Sequence, residues 1–281
     1  KDIVSPTMDD LHHHNQPTVL NGYLNLNGNE EFWFWEITDP AKPKQMTEYL
    51  TPNRDPMGGG KKEREAEPHC VSYGRYGDKF YEVTTGGKGV DIWDVTDQTA
   101  VKHISQIKLE GVDYGDFTAA VWGLSWQGNY IYVGGTDTGL HILDAHDPLN
   151  VKFVKQLPTS KFGTVSAGPL DAIGNVLVIT TPKENGGIAT MDISDPLNPV
   201  YMHSIKPSKS YIGQFYKHYV FLQSPLRAWD VLTYPDNSGK ADMLRSSVTT
   251  PGSEYLSFGD NNLFLGRFLP DGGATVYDVT D

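Results

Sequence analysis

The chain is poor in cysteine, in cations and in long apolar runs. Cys70 is the single cysteine among 281 residues, which excludes an internal disulfide framework and any cysteine-rich zinc module. Lys and Arg number 23 against 35 Asp and Glu, a net charge of −12. That balance argues against a nucleic-acid partner, because phosphate contacts need clustered cations. No apolar run reaches the roughly 18 residues of a spanning helix, so no transmembrane segment is expected. No Asn-x-Ser/Thr acceptor occurs, so glycosylation gives no hint of compartment. Residue 1 is Lys and no leader pattern is present, so the chain is read as processed or as a piece of a longer protein.

Turn formers, in contrast, are abundant. There are 29 Gly and 18 Pro residues, and aromatics make up 11%. Few stretches run long without a breaker, which argues against a helix bundle and for short strands.

Self-similarity is the main signal. Six segments run from alternating apolar residues to an acid, then usually to a second Asp three residues on: Phe32 to Asp39, Gly89 to Asp97, Gly139 to Asp147, Gly187 to Asp195, Leu226 to Val231, and Ala274 to Asp281. The first acids are Glu36, Asp94, Asp144, Asp192, Asp230 and Asp278, separated by 58, 50, 48, 38 and 48 residues. A second strand precedes each of the last five, at Lys79–Val83, Tyr130–Val133, Val176–Thr180, Tyr219–Leu222 and Leu263–Leu265, after a polar or Gly-containing turn. A further strand follows the Asp turn, as at Val151–Val154 and Val200–His203, and a fourth, rich in small residues, lies ahead, as at Thr118–Trp122. Four short strands recurring every 40–50 residues or so predict an all-β protein, a β-propeller of six or seven four-stranded blades, with residues 1–281 as a single domain.

The irregular steps read as loops. Met57 to Glu65 is a polar excursion, and Tyr234 to Gly239 a turn-rich insertion. The last copy lacks an outer strand, and Ile3–Leu11 or Thr18–Leu24 is expected to complete it unless residues beyond 281 or another chain do so. Asp39-Pro40, Asp147-Pro148 and Asp195-Pro196 carry turn chemistry: the carboxylate accepts an N–H two residues on, and Pro presets φ. These acids are expected to build turns rather than to catalyse. Gly89, Gly139 and Gly187 open the motif strands, where a positive φ or a close backbone approach is expected. Trp33, Trp35, Trp93 and Trp229 alternate along strands and are expected to pack between blades.

On these residues the pattern resembles the LVIVD-repeat family of bacterial β-propellers, whose units read roughly Gly-Leu-x-Ile-Val-Asp-Val-Ser-Asp-Pro-x-x-Pro. Gly187 to Pro199 follows this nearly throughout. Gly139 to Pro148 follows it with Ala145-His146 in place of the usual pair, and Gly89 to Asp97 lacks the Pro. The copy at Asp230 departs most, with Leu232-Thr233 where Ser-Asp is expected. The resemblance spans roughly residues 30–281. It implies the propeller fold and an exported protein, in the periplasm, on the cell surface or secreted, and implies no reaction.

In a propeller the innermost strands line a channel, and loops at its mouths carry binding residues. Repeat alignment sets those strands near His69–Ser72, Thr118–Trp122, Val165–Pro169, Ser210–Gly213 and Glu254–Ser257. The channel and ligand-binding candidates are therefore His69, Trp122, Ser166, Tyr211 and Glu254, with Asn15 or Asn21 from the first copy. His14, Glu67 and His69 form a candidate metal set for zinc, copper or iron. Strand alternation sets His69 and Cys70 on opposite faces, which disfavours a Cys/His nucleophile pair and makes Cys70 an inert thiol. Ser166 lies in no nucleophile elbow. Gly86-Gly87-Lys88-Gly89 joins two strands and meets no helix N-terminus, so it is no phosphate loop.

Two functions remain open. One is a binding or protein-interaction scaffold with a protein or small molecule at the channel mouth. The other is a propeller enzyme, an oxidoreductase or hydrolase, with a metal or acid/base site there. Fold alone licenses neither.

Overall fold

The computed structural model describes residues 18–27, 31–50, 68–183, 186–205, 211, 213–222, 227–236, 253–267 and 273–280. Polar two-residue turns between short alternating runs leave the backbone one economical choice, the antiparallel meander. Six such sheets form, and in each of them every strand pairs with the next in sequence. The first holds β1 (Thr18–Leu20), β2 (Tyr23–Asn27), β3 (Glu31–Glu36) and β4 (Lys44–Leu50). The second holds β5 (Val71–Tyr76), β6 (Lys79–Gly86), β7 (Gly89–Asp94) and β8 (Lys102–Lys108). The third holds β9 (Gly123–Gln127), β10 (Tyr130–Gly134), β11 (Leu140–Asp144) and β12 (Lys152–Leu157).

A short 3-10 turn, Thr159–Phe162, leads into the fourth sheet: β13 (Leu170–Ile173), β14 (Val176–Ile179), β15 (Ile188–Asp192) and β16 (Val200–Ile205). The fifth sheet has β17 (Gly213–Tyr216), β18 (Tyr219–Leu222) and β19 (Arg227–Trp229). The sixth has β20 (Ser253–Gly259), β21 (Asn262–Arg267) and β22 (Gly273–Asp278). The chain divides into two compact units, Lys1–Lys155 and Gln156–Asp281. The fold class is the β-propeller, with six blades, the last two three-stranded among the described residues.

The repeated acids do what their turn chemistry predicts. Asp94, Asp144, Asp192 and Asp278 each accept the N–H two residues on, from Thr96, His146, Ser194 and Thr280, at 2.8–3.0 Å. The second Asp does the same one step later: Asp39, Asp97, Asp147 and Asp195 hold the N–H of Ala41, Thr99, Leu149 and Leu197. The hydroxyls of Thr99, Ser194 and Thr280, together with these N–H bonds, hold the carboxyls of Asp97, Asp192 and Asp278 below their ordinary range, and the His146 N–H does the same for Asp144. The copy at Asp230 departs, as its sequence does. Its carboxylate takes the N–H of Thr233, three residues on, and pairs with His218 at 2.8 Å. The glycines split between the two expected roles: Gly139 and Gly187 have φ of 97° and 86°, whereas a Cβ on Gly89 would lie 2.0 Å from the Ile107 carbonyl oxygen.

Outer strands begin eight residues after the motif acid in the first four sheets, at Lys44, Lys102, Lys152 and Val200. In three of these the outer pairing slips at one place in the repeat, Trp33/Trp35, Ile92/Trp93 and Thr190/Met191. Such a bulge adds local twist to the blade's rim.

Two expectations are corrected. Thr118–Trp122 is not a strand: Asp116 holds the N–H and the hydroxyl of Thr118, both at 2.8 Å, and receives the Ala119 N–H on its carbonyl. The small residues fold into these turns, and the strand begins at Gly123. Thr18–Leu24 does not complete the last blade, because β1 and β2 pair with each other inside the first sheet. Ile3–Leu11 and Met57–Glu65 lie outside the described residues.

Apolar faces meet between consecutive sheets. In the first unit, Tyr81, Val83, Val90 and Ile92 of the second sheet pack with Leu124, Trp126, Ile131, Val133 and Leu143 of the third. In the second unit, Val176, Val178 and Ile188 pack with Val220, Leu222 and Trp229. Trp93 and Trp229 are buried in such joints.

Candidate functional site

Two of the predicted site residues come together at the entry to the second and third sheets. The chain reaches β5 through Pro68-His69-Cys70, and β9 through a loop running from Leu109 to Trp122. Backbone bonds pin that loop to its neighbours: Leu109 N–H to Lys88 C=O at 2.9 Å, Tyr114 N–H to Gly87 C=O at 2.8 Å, and Trp122 N–H to Gly134 C=O at 3.0 Å. From the adjoining loop, Asp137 N–H reaches Thr118 C=O at 2.9 Å, and the Thr136 hydroxyl reaches Ala120 C=O at 2.6 Å. Thr136 holds φ of 53° while fully buried, a conformation that costs a β-branched residue about 1–3 kcal/mol. Lys88 and Asp113 form an ion pair across the loop, and that ammonium holds the Asp113 carboxyl below its usual range.

Trp122 is the hub. His69 meets it edge-on with centroids 4.6 Å apart. Phe117 and Tyr114 lie at 5.2 and 5.8 Å, and the indole N–H donates to the Phe117 carbonyl at 3.0 Å. His69, Tyr114 and Trp122 are buried, whereas Phe117 is 51% exposed. The loop thus presents one accessible ring on a packed aromatic base, an apolar contact surface with a polar rim.

Strand alternation does not separate His69 from Cys70. Both lie ahead of β5 rather than in it, and His69 Nδ1 sits 3.2 Å from Cys70 Sγ. The thiol also reaches the Trp122 carbonyl at 3.2 Å, packs against the core of the second and third sheets, and is half-buried.

Each remaining candidate is placed by its own element. Ser166 is buried ahead of β13. Tyr211 is half-buried and its carbonyl accepts the Thr180 hydroxyl at 3.1 Å. Glu254 lies within β20. Asn21 is an exposed turn residue between β1 and β2, with φ of 50°. Asn15, His14 and Glu67 lie outside the described residues. Among the described residues no three His, Cys, Asp or Glu side chains are grouped to hold a metal, and no helix is long and apolar enough to cross a membrane.

Sequence reasoning missed the buried titratable groups. Glu82 in β6 is fully buried, and burial pushes its carboxyl up to about 8. Asp91 in β7 is buried and raised, held by His103 Nε2 at 2.9 Å. His141 in β11 is buried, pushed down to about 4 by desolvation, with Nε2 2.9 Å from the Thr138 hydroxyl. Asp171 in β13 is half-buried as a residue, and desolvation of its carboxyl raises it to about 7. One signal was available for Glu82: at its register position the other five copies carry Leu24, Ile131, Leu177, Val220 and Leu263.

The architecture defines a β-propeller protein. The family model of the LVIVD repeat matches residues 120–159, the third sheet with the close of its entry loop. Among solved structures, the computationally designed Ika8 protein is similar over 94% of this chain and 70% of its own, at 14% identity and a TM-score of 0.55; that likeness concerns the fold alone. The computationally designed Ika4 protein is 18% identical, covering 62% of this chain and 99% of its own, with a TM-score of 0.43. No curated protein matches the chain.

Proposed function

We propose that the chain is a single-domain propeller that acts as an exported binding scaffold, with its contact surface at the Leu109–Trp122 loop. The observation that carries this reading is Phe117, half-exposed on a buried base of Trp122, Tyr114 and His69. A ring held this way is already ordered, so a partner that buries it meets little further entropic cost. Aromatic anchors on rigid supports are the residues that concentrate binding energy. Export rests on the resemblance to bacterial LVIVD-repeat propellers, and fractionation of the cells that make the natural protein tests it.

The binding reading is tested with arrays of peptides and glycans probed with the purified protein and with Phe117→Ala. Ligands that bind the wild type should lose at least about tenfold in affinity in the variant, since truncating an anchor costs more than about 1.4 kcal/mol. Equal binding by the two proteins would remove the loop from the function. Turnover of an array compound, unaffected by the variant, would favour the enzyme reading instead.

A further inference from the structure

The first and second sheets meet through a polar joint. Repeat register makes the exceptions plain. At the position of Glu82 the other copies are aliphatic. At the next position Asn25 is the polar exception, where the others carry Val83, Tyr132, Val178, Phe221 and Phe264. The two exceptions fall in consecutive sheets and meet. Asn25 Nδ2 lies 2.9 and 3.0 Å from the two Glu82 carboxyl oxygens, and 2.7 Å from the Tyr73 hydroxyl.

We propose that Glu82 carries a proton at neutral pH, so that Asn25, Glu82 and Tyr73 form an uncharged hydrogen-bonded joint between the first two sheets that weakens when the proton leaves. Geometry supports this first. The carboxyl is fully buried and touches an amide and a phenol. No cation pairs with it among the described residues, and Asn25 Oδ1 beside it is buried with no donor. An anion in such a setting is costly, whereas the acid keeps one acceptor and gains one donor for its neighbours. The bonds from Asn25 and Tyr73 favour the anion, but desolvation outweighs them and raises Glu82 to about 8; burial also raises Tyr73 well above its ordinary value.

The other titratable groups on the packed elements do not neutralise an anion here. On the second sheet these are Asp91, itself an acid; His103, which is bonded to Asp91; and Arg75, which lies over the Phe80 ring and donates to the Gly77 carbonyl. On the first sheet, Tyr23 packs in the apolar part of the joint, and Glu36 and Lys44 are register partners at the end of β3, where Glu36 accepts the Thr38 hydroxyl.

The sign follows from linkage. Glu82 has an ordinary pKa of 4.5 in the open chain and about 8 when folded. Between those values the folded state holds the extra proton, so stability falls as pH rises through the window. Each unit then multiplies the unfolding constant by up to about tenfold.

Urea unfolding of the whole chain, wild type beside Glu82→Gln, from pH 6 to 8.5 tests the proposal. The amide of Gln imitates the protonated acid, and the histidines titrate alike in both proteins and cancel. The ratio of unfolding constants, wild type over variant, should rise about 30-fold or more across the range. A ratio constant to within about threefold overturns the proposal. In case the variant does not fold, the Glu82 carboxyl carbon is followed by NMR in isotope-labelled wild type: a midpoint above pH 7 supports the proposal, and one below pH 5.5 overturns it.

Discussion

The two joints flanking the second sheet are built from opposite materials. Toward the third sheet it offers Tyr81, Val83, Val90 and Ile92, met by aliphatic residues and Trp126. Toward the first it offers Glu82, Thr84, Asp91 and Trp93, met by Phe34 and Asn25. Trp93 itself spends its indole N–H on the Thr84 hydroxyl at 3.0 Å. One joint is held by area, and tolerates substitution in proportion to volume. The other adds to a smaller apolar cluster around Phe34, Trp93 and Val95 a few directed bonds in a dry setting, where each unmatched atom is costly. Asn25 Oδ1 and Asp91 Oδ2 are two such atoms. A blade can thus be fastened by burial on one face and specified by chemistry on the other.

The largest effect is expected on the apolar side. Ile131→Ala, at a fully buried position, should lower the unfolding free energy by about 3 kcal/mol in urea titration, from lost transfer energy plus a cavity. A loss under about 1 kcal/mol would mean that the second and third sheets are not held by area.

The polar side should answer differently. Asn25→Leu with Glu82→Leu gives this joint the residue types of the other copies. At pH 8 the double variant should be as stable as wild type or more stable, by up to about 4 kcal/mol, whereas Glu82→Leu alone strands the Asn25 amide and costs about 1–3 kcal/mol at pH 6. A double variant less stable than both single ones would break the contrast between the joints.

The smallest effect belongs to the rim. Asp144→Ala removes the acceptor for the His146 N–H and should cost about 1 kcal/mol at neutral pH. Asp144 is lowered by that bond, so its contribution is complete above the ordinary carboxylate range and is lost as pH falls through the lowered value. The deficit of the variant should therefore shrink in acid, which thermal melts at pH 7 and pH 3 would show.

Much of the fold was legible because its signals are local. Asp-to-N–H turns, two-residue hairpins and period-two alternation are written within about ten residues, and all six motif strands fall where these cues set them. Thr118–Trp122 was misread because small residues suit a strand beside a close neighbour and a capped turn equally well; the capping acid, Asp116, was the deciding cue. Repeat alignment singled out both His69 and Trp122 but did not foresee their contact, which is made by two loops rather than two strands. Nor was the Cys70 contact foreseen, since alternation holds only inside a strand. Glu82 and Asn25 were invisible to a residue-by-residue reading because neither belongs to a motif; they stand out only as departures from their own copies.

The amide of one copy and the acid of the next also act as an address. The Asp turns recur from module to module, with a variant at Asp230, and say nothing about which module stands beside which. A rearranged gene that moved the second module elsewhere in the series would keep every hairpin and lose the mate for Glu82. Serial order, in this chain, is written in the letters that fail to repeat.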